Sequence, residues 1–390
     1  MKKRLILCCD GTWNSADQES NGRPCPTNVI KIAYRLCKHG ADGTPQIIYY
    51  DQGVGTGNWL DRIEGGATGL GLEQNIHDAY IFLLANYDPG DDIYIFGFSR
   101  GAYTARSIGG MIRKCGILKR QAVRRYHEAE LLYHNADVHP DDERAVTFRK
   151  EASLLGGDDV PVKMVGVWDT VGALGIPGHL DDPVARFFQF HNTDLGVRVE
   201  NAFHALAIDE HREDFIPTLW TKDPQAPNTQ NVEQVWFAGA HANIGGGYEE
   251  HGLSDISLAW MADRVAPFLD LDPSYLETRQ DRRDAWAMGR IYNSATGLFG
   301  LRDKVDRPVE ASLAAGAKIH ESVAVRFTGP MAEAYDPPAL HGGPKPDAVI
   351  GLGAMEQRLR WPAADPAHLG RVRSAEPGFF DRLLRDFVIG

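Results

Sequence analysis

The stretch from Ile95 to Gly101 reads "IFGFSRG", with Ser99 between Gly97 and Gly101. A G-x-S-x-G pentapeptide that closes an apolar run and opens a helix-forming one has the pattern of a nucleophile elbow, a tight turn that exposes a strained serine hydroxyl. The alternative is a glycine-rich turn whose serine caps the helix. A hydroxyl is a weak nucleophile at neutral pH, so the first reading requires a base and a group to orient it. Asp169 in "VGVWDTVG" and His241 in "AGAHANIGGG" supply both residue types, each after its own apolar run. The order Ser99, Asp169, His241 is that of an α/β-hydrolase triad. Asp169 could equally cap a helix, and His241 could be a satisfied structural histidine. Gly245, Gly246 and Gly247 beside it allow close backbone approach, and their spacing lacks the Lys-Ser/Thr ending of a phosphate loop.

An acyl-transfer site also needs donors for an oxyanion. The backbone N–H of Arg100, at the helix start, is the natural first donor, and Gly11 or Thr12 in "CCDGTWN" could supply the second. Asp10 could orient that loop or compete with Asp169 for the acid role. "YYDQGVGTGNW", Tyr49 to Trp59, is a further glycine-rich loop that shapes the mouth of the site or lies plainly on the surface. The rival chemistry is metal-dependent phosphoester hydrolysis, with Asp10, Asp51 and Asp169 as carboxylate ligands at one sheet edge. The 14 histidines include no H-E-x-x-H, and no cysteine pair has zinc spacing.

The elements that must position these residues follow from periodicity. Short apolar runs at Leu5 to Cys9, Gln46 to Tyr50, Ile93 to Phe98, Val162 to Trp168 and Val232 to Phe237 read as buried strands. Helix-period stretches lie between them at Asn28 to Cys37, Gln74 to Ala85 and Ala102 to Lys114, the last stopped by Gly116. This alternation predicts an α/β-hydrolase-like fold, a mostly parallel sheet with helices on both faces, with the site beyond the carboxyl ends of the strands. The expected division is a catalytic core over 1–270, with the charged helix-forming segment 117–158 as a cover or lid, and an irregular extension over 271–390 packed on that core.

Composition narrows the partners. A net charge of −12 offers no footprint for a phosphate backbone, so nucleic acid is not expected. Five cysteines, two of them in the first apolar run, fit a reducing compartment. The apolar run after the N-terminal Lys2-Lys3-Arg4 is too short for a signal peptide, and no run reaches the roughly 18 residues of a membrane span. A cytoplasmic location follows, with export only through a system that needs no signal peptide. Contact with lipid would be peripheral.

Taken together and in order, "CCDGTWN", "YYDQGVGTG", "IYIFGFSRGAYTARSIGGMI", "VGVWDTVGALGIP", "FHALAIDEHREDFIPTLW" and "VWFAGAHANIGGGY" resemble an α/β-hydrolase domain family. Its best-known members are type VI secretion phospholipase effectors of the first lipase class. The resemblance runs from Leu5 to Leu258, with a weaker echo in "IHESVAVRF". It implies Ser99 as nucleophile, Asp169 as acid and His241 as base, a lipid or small acyl-ester substrate, and no cofactor. Family members often carry aspartate where this chain has Asn243. The large membrane-docking regions of the secreted effectors have no counterpart in this sequence. The expected activity is therefore a serine esterase of phospholipase type. The alternatives are a non-catalytic interaction module on the same scaffold and the metal-dependent phosphoesterase.

Overall fold

The computed structural model describes residues 2–11, 19–20, 22–53, 69–171, 194–272, 286–295, 303–329, 334–341, 343–354, 356 and 373–374. Its main sheet has eight strands: β1 Arg4–Cys9, β2 Gln46–Asp51, β3 Asp92–Phe98, β4 Val162–Trp168, β5 Val199–Ala207, β6 Asn231–Phe237, β7 Lys318–His320 and β8 Val349–Ile350. They lie in the order β8-β7-β6-β5-β4-β3-β1-β2, and every neighbouring pair is parallel. Parallel strands need crossovers, and helices supply them on both faces.

Side-chain alternation divides the core. Leu5, Leu7, Ile93 and Ile95 point to a layer built with α2 Gly69–Asn86 and α3 Arg100–Cys115. Ile6, Cys8, Tyr94 and Phe96 point the other way, toward α1 Asn28–Arg35 and α7 Gly252–Val265. The expected α/β architecture is thus present. The segment 117–158 forms α4 Tyr126–His134 and α5 Glu143–Ala152, whose Ala129, Leu132, Tyr133, Ala145 and Phe148 are buried in the layer with α3. These helices pack against α3 on the outside of that layer.

Two expectations need correction. Strand β5 escaped the sequence reading because Glu200 and Asn201 interrupt its first half, "VENAF", which carries neither an unbroken apolar run nor an alternation. The segment after residue 270 is more than an irregular extension: β7 and β8 extend the main sheet, and Val309, Ile319 and Val323 are fully buried in its core. Each such side chain contributes about 1.5–3 kcal/mol, so this part of the chain is integral to the fold. Its strands, of three and two residues, are too short to leave a periodic signal.

The strand order reverses between β1, which is followed on one side by β2, and β3 on its other side. Chain ends diverge at such a switch point and leave a crevice beyond the carboxyl ends. Ser99 leaves β3 at this place. Gly97 and Gly101 permit it: a Cβ on Gly101 would collide with the carbonyl oxygens of Cys9 and Asp10, and one on Gly97 with the Gly101 carbonyl and the Ala102 backbone. Backbone cannot yield as a side chain can. Gly101→Ala is therefore expected to lower stability by about 2–3 kcal/mol. Gly109→Ala, at an open position of the same helix, should raise it by up to about 1 kcal/mol. Urea unfolding midpoints of the two variants check the contrast.

Candidate active site

Ser99 sits between β3 and α3 with φ 57° and ψ −123°. Among the described residues the only other non-glycine with positive φ is Asp169, at φ 36°. Such backbone costs of order 1–3 kcal/mol and persists only where neighbours over-determine it. Here the Ser99 N–H donates to the Trp168 carbonyl at 3.1 Å and the Asp169 N–H to the Ala205 carbonyl at 2.7 Å, so each turn is tied to the next strand. The Ser99 side chain makes no capping hydrogen bond, which removes the helix-cap reading of this serine. Arg100 is the first residue of α3, so its backbone N–H belongs to the helix's opening turn.

Asp169 is fully buried. Its Oδ2 lies 2.6 Å from His241 Nδ1, its Oδ1 accepts the Ala207 N–H at 3.0 Å, and both oxygens accept from the Arg307 guanidinium at 3.1 Å. Burial pushes the carboxyl pKa up, but Arg307 and His241 more than offset it and hold the group well below the usual carboxylate range. An ionised carboxylate only accepts, so Nδ1 of His241 carries the proton. In the neutral ring, Nε2 is then left as the basic nitrogen.

His241 opens the short helix α6 His241–Gly245 directly after β6. Its ring lies between Phe98, at 4.6 Å between centroids, and Phe215, edge-on at 5.0 Å. Phe98 immediately precedes Ser99, which places the imidazole beside the elbow. Gly245 keeps the contact close, since any Cβ there would run into the Phe98 ring. Burial lowers the His241 pKa from its ordinary value, with Asp169 opposing. Asp169 and His241 are thus joined directly. Among the described residues no hydrogen bond yet joins the Ser99 hydroxyl to the imidazole.

Asp10 does not compete for the acid role. It accepts from Thr27 Oγ1 at 2.7 Å, Tyr50 Oη at 2.8 Å and the Gly11 N–H at 2.8 Å, and burial raises its pKa to about 6. Thr27 also caps α1, so Asp10 braces the ends of β1 and β2 against that helix. The Gly11 N–H is committed to this brace, which corrects its assignment as an oxyanion donor. Thr12 lies outside the described residues, as does the loop from residue 54 to Trp59.

The carboxylate metal site is also corrected. Strands lie about 4.8 Å apart, so Asp10 and Asp169, separated by β3, sit about 10 Å from one another, and Asp51 is one strand further away. Asp169 is already occupied by a guanidinium. The one group of potential ligands close enough to share an ion, among the described residues, is Glu73, Glu130 and His134, on α2 and α4.

Four residues were not anticipated. Glu210, fully buried, accepts the His241 N–H at 3.2 Å and pairs with Arg212 through two bonds of 2.9 Å and with Ser294. Burial pushes its pKa up, yet Arg212 brings it down to about 2. Arg307 reaches Asp169 from the loop before α8 Val309–Ala314. Glu210 lay within a motif of the family resemblance; Ser294 and Arg307 sit in a segment without periodic signal. Asn243 also acquires a role. Its Oδ1 accepts the Ala240 and Tyr292 N–H groups, while its Nδ2 donates to the Arg290 carbonyl at 3.1 Å. Aspartate cannot make that donation. Asn243→Asp is expected to cost about 1–3 kcal/mol, read as a lowered Tm, because a buried carbonyl would face a carboxylate oxygen.

Comparison with known proteins finds relatives of this chain. A curated relative, "Uncharacterized protein YEL023C" of Saccharomyces cerevisiae, is 32% identical over 244 residues, covering 58% of this chain and 34% of that protein. A crystal structure of an uncharacterized protein from Pseudomonas aeruginosa is 16% identical over 68% of this chain and 45% of its own, at a TM-score of 0.38. The structure of the Tle1 effector bound to the VgrG spike of the type 6 secretion system is 20% identical over 64% of this chain and 51% of that chain, at a TM-score of 0.29. This chain spans a third to about half the length of these proteins. Residues 3–264 match the family described as "T6SS, Phospholipase effector Tle1-like, catalytic domain", and the chain belongs to that family.

Proposed function

We propose that the protein is a serine esterase acting through an acyl-enzyme, with a lipid acyl ester as substrate. One observation carries the reading: the strained, uncapped Ser99 directly follows Phe98, whose ring packs on His241, and the tautomer of His241 is fixed by the ionised Asp169. Ser99 Oγ bonds to the ester carbonyl carbon while its proton passes to His241 Nε2. The carbonyl oxygen becomes an oxyanion, held by the Arg100 N–H and by a second donor from the loop after β1, for which Thr12 remains the candidate. Collapse breaks the carbon–oxygen ester bond, and the departing alcohol takes the proton from Nε2. Water then repeats the sequence and releases the carboxylic acid. The Ser99–His241 hydrogen bond forms as substrate seats, since such bonds are often incomplete in empty sites.

The lipid preference rests on the family and on local character. Phe215 packs on His241, and the adjacent Ile216 is 49% exposed, so an apolar rim stands beside the base. No described helix is long and apolar enough to cross a membrane, so the substrate would be met at its surface.

Wild-type protein should react with a fluorophosphonate probe, and Ser99→Ala should not. Labelling that survives in Ser99→Ala, or is absent from wild type, removes the reading and leaves the non-catalytic module. On a panel of phospholipids and short-chain esters, His241→Ala and Asp169→Asn should each lower kcat by about 10,000-fold. Release of free fatty acid, followed by titration, is the measurement.

A further inference from the structure

The carboxylate that orients His241 is not satisfied by histidine and backbone alone. Arg307 is fully buried, and each of its three guanidinium nitrogens donates: Nη1 and Nη2 to Asp169 at 3.1 Å, and Nε to the Glu210 carbonyl at 3.2 Å. Its delivery is rigid. The Val305 N–H donates to the His211 carbonyl at 3.0 Å, Lys304 bridges to Arg212, and Val309 is buried in the core. Arg307 also lies beyond residues 3–264, the part matched by the family. The site is therefore completed from outside the recognisable catalytic segment.

We propose that Arg307 is a positioning residue of this site: by holding both oxygens of Asp169 it supplies the permanent cation the buried carboxylate needs, so that His241 stays free to act as a neutral base. This rests on the serine esterase reading. In water-poor surroundings a lone carboxylate draws a proton onto its neighbour or itself. Without Arg307, that neighbour is His241. An imidazolium at rest has no lone pair on Nε2 and cannot take the Ser99 proton. With Arg307 in place the charge is already matched, and the ring keeps its lone pair to lower pH. The guanidinium suits this role because a planar fork fixes the plane of the carboxylate, which a lysine cannot do.

The other charged groups around the pair do not replace it. Glu210 accepts the backbone N–H of His241 and is neutralised by its ion pair with Arg212, whose guanidinium lies over the Phe215 ring. His204 beneath the Asp169 turn accepts the Thr170 N–H through Nε2, and burial lowers its pKa to about 3, so it stays neutral. Arg106 is turned to the Thr218 carbonyl and the Trp220 ring. Phe98 and Phe215 close the remaining sides with apolar surface.

The test is the rate of fluorophosphonate labelling against pH for wild type, Arg307→Met and Arg307→Lys, with Ser99→Ala as control. In Arg307→Met the acid limb should move up by about one pH unit or more, with labelling recovered on the alkaline side. Arg307→Lys, which keeps the charge, should hold the limb near the wild-type position at a reduced rate. An unchanged profile in folded Arg307→Met overturns the proposal, and so does a loss equal at every pH, which is what a purely structural role gives. If Arg307→Met does not fold, the His241 ring titration in wild-type protein, followed by NMR, decides. A midpoint below the ordinary value of about 6.5 agrees, whereas one above about 7, the mark of an imidazolium paired with an uncompensated carboxylate, overturns it. Absent labelling in wild type, or persistent labelling in Ser99→Ala, strikes the esterase reading instead. The NMR titration still reports on Arg307 in that case.

Discussion

A fully buried carboxylate is costly, several kcal/mol for an unpaired charge even after relaxation, and the Asp169 carboxylate is held at that depth by donors from three different places. The Ala207 N–H comes from the end of β5, the His241 imidazole from the start of α6, and the Arg307 guanidinium from the loop before α8. Each donor is distant in sequence, and none can be moved without stranding the charge. The end of the sheet is thereby locked: the turn after β4 cannot shift relative to β5 or β6. The same carboxylate fixes which nitrogen of His241 is basic. Stability of this corner and chemistry of the site rest on one group.

A second constraint is the switch point of the sheet. All eight strands run the same way, so their carboxyl ends share one edge, and the reversal of order between β1 and β3 opens that edge where Ser99 emerges. The two strained non-glycine residues, Ser99 and Asp169, terminate the adjacent strands β3 and β4. Their backbone bonds to Trp168 and Ala205 tie both strained turns to the neighbouring strands of the sheet.

Around this pair stand braces that carry no reacting atom. Asp10 ties β1 to β2 and α1, Asn243 ties the turn before His241 to the segment at Arg290 and Tyr292, and Glu210 holds the His241 N–H while anchoring Ser294. Burial pushes the Asp51 carboxyl up to about 7, with the Asp78 and Asp10 charges adding to it. These acids hold the loops after β1 and β2. Positioning on the histidine side depends on Arg290, Tyr292, Ser294 and Arg307, outside the segment shared with the family.

Fold class and the three candidate triad residues were legible because they depend on local pattern. Apolar runs of five to seven residues report buried parallel strands, G-x-S-x-G reports a turn that tolerates only glycine at its flanks, and residues that follow successive parallel strands must share an edge. The strand Val199–Ala207 was illegible because its outer half is half-exposed, and the strands at Lys318 and Val349 because two or three residues carry no period. Gly11 illustrates the opposite failure: its position after β1 suited an oxyanion donor, but a backbone N–H goes to whichever acceptor lies nearest, and that is Asp10. Sequence by itself determined five of the eight strands, their parallel direction and which side chains emerge at their carboxyl ends, because periodicity and glycine placement act over a few residues. Only the tertiary structure decided that Asp169 and not Asp10 meets His241, and that Arg307 meets Asp169. Those pairings are set by strand order and by contacts 72 and 138 residues apart, about which local pattern carries no information.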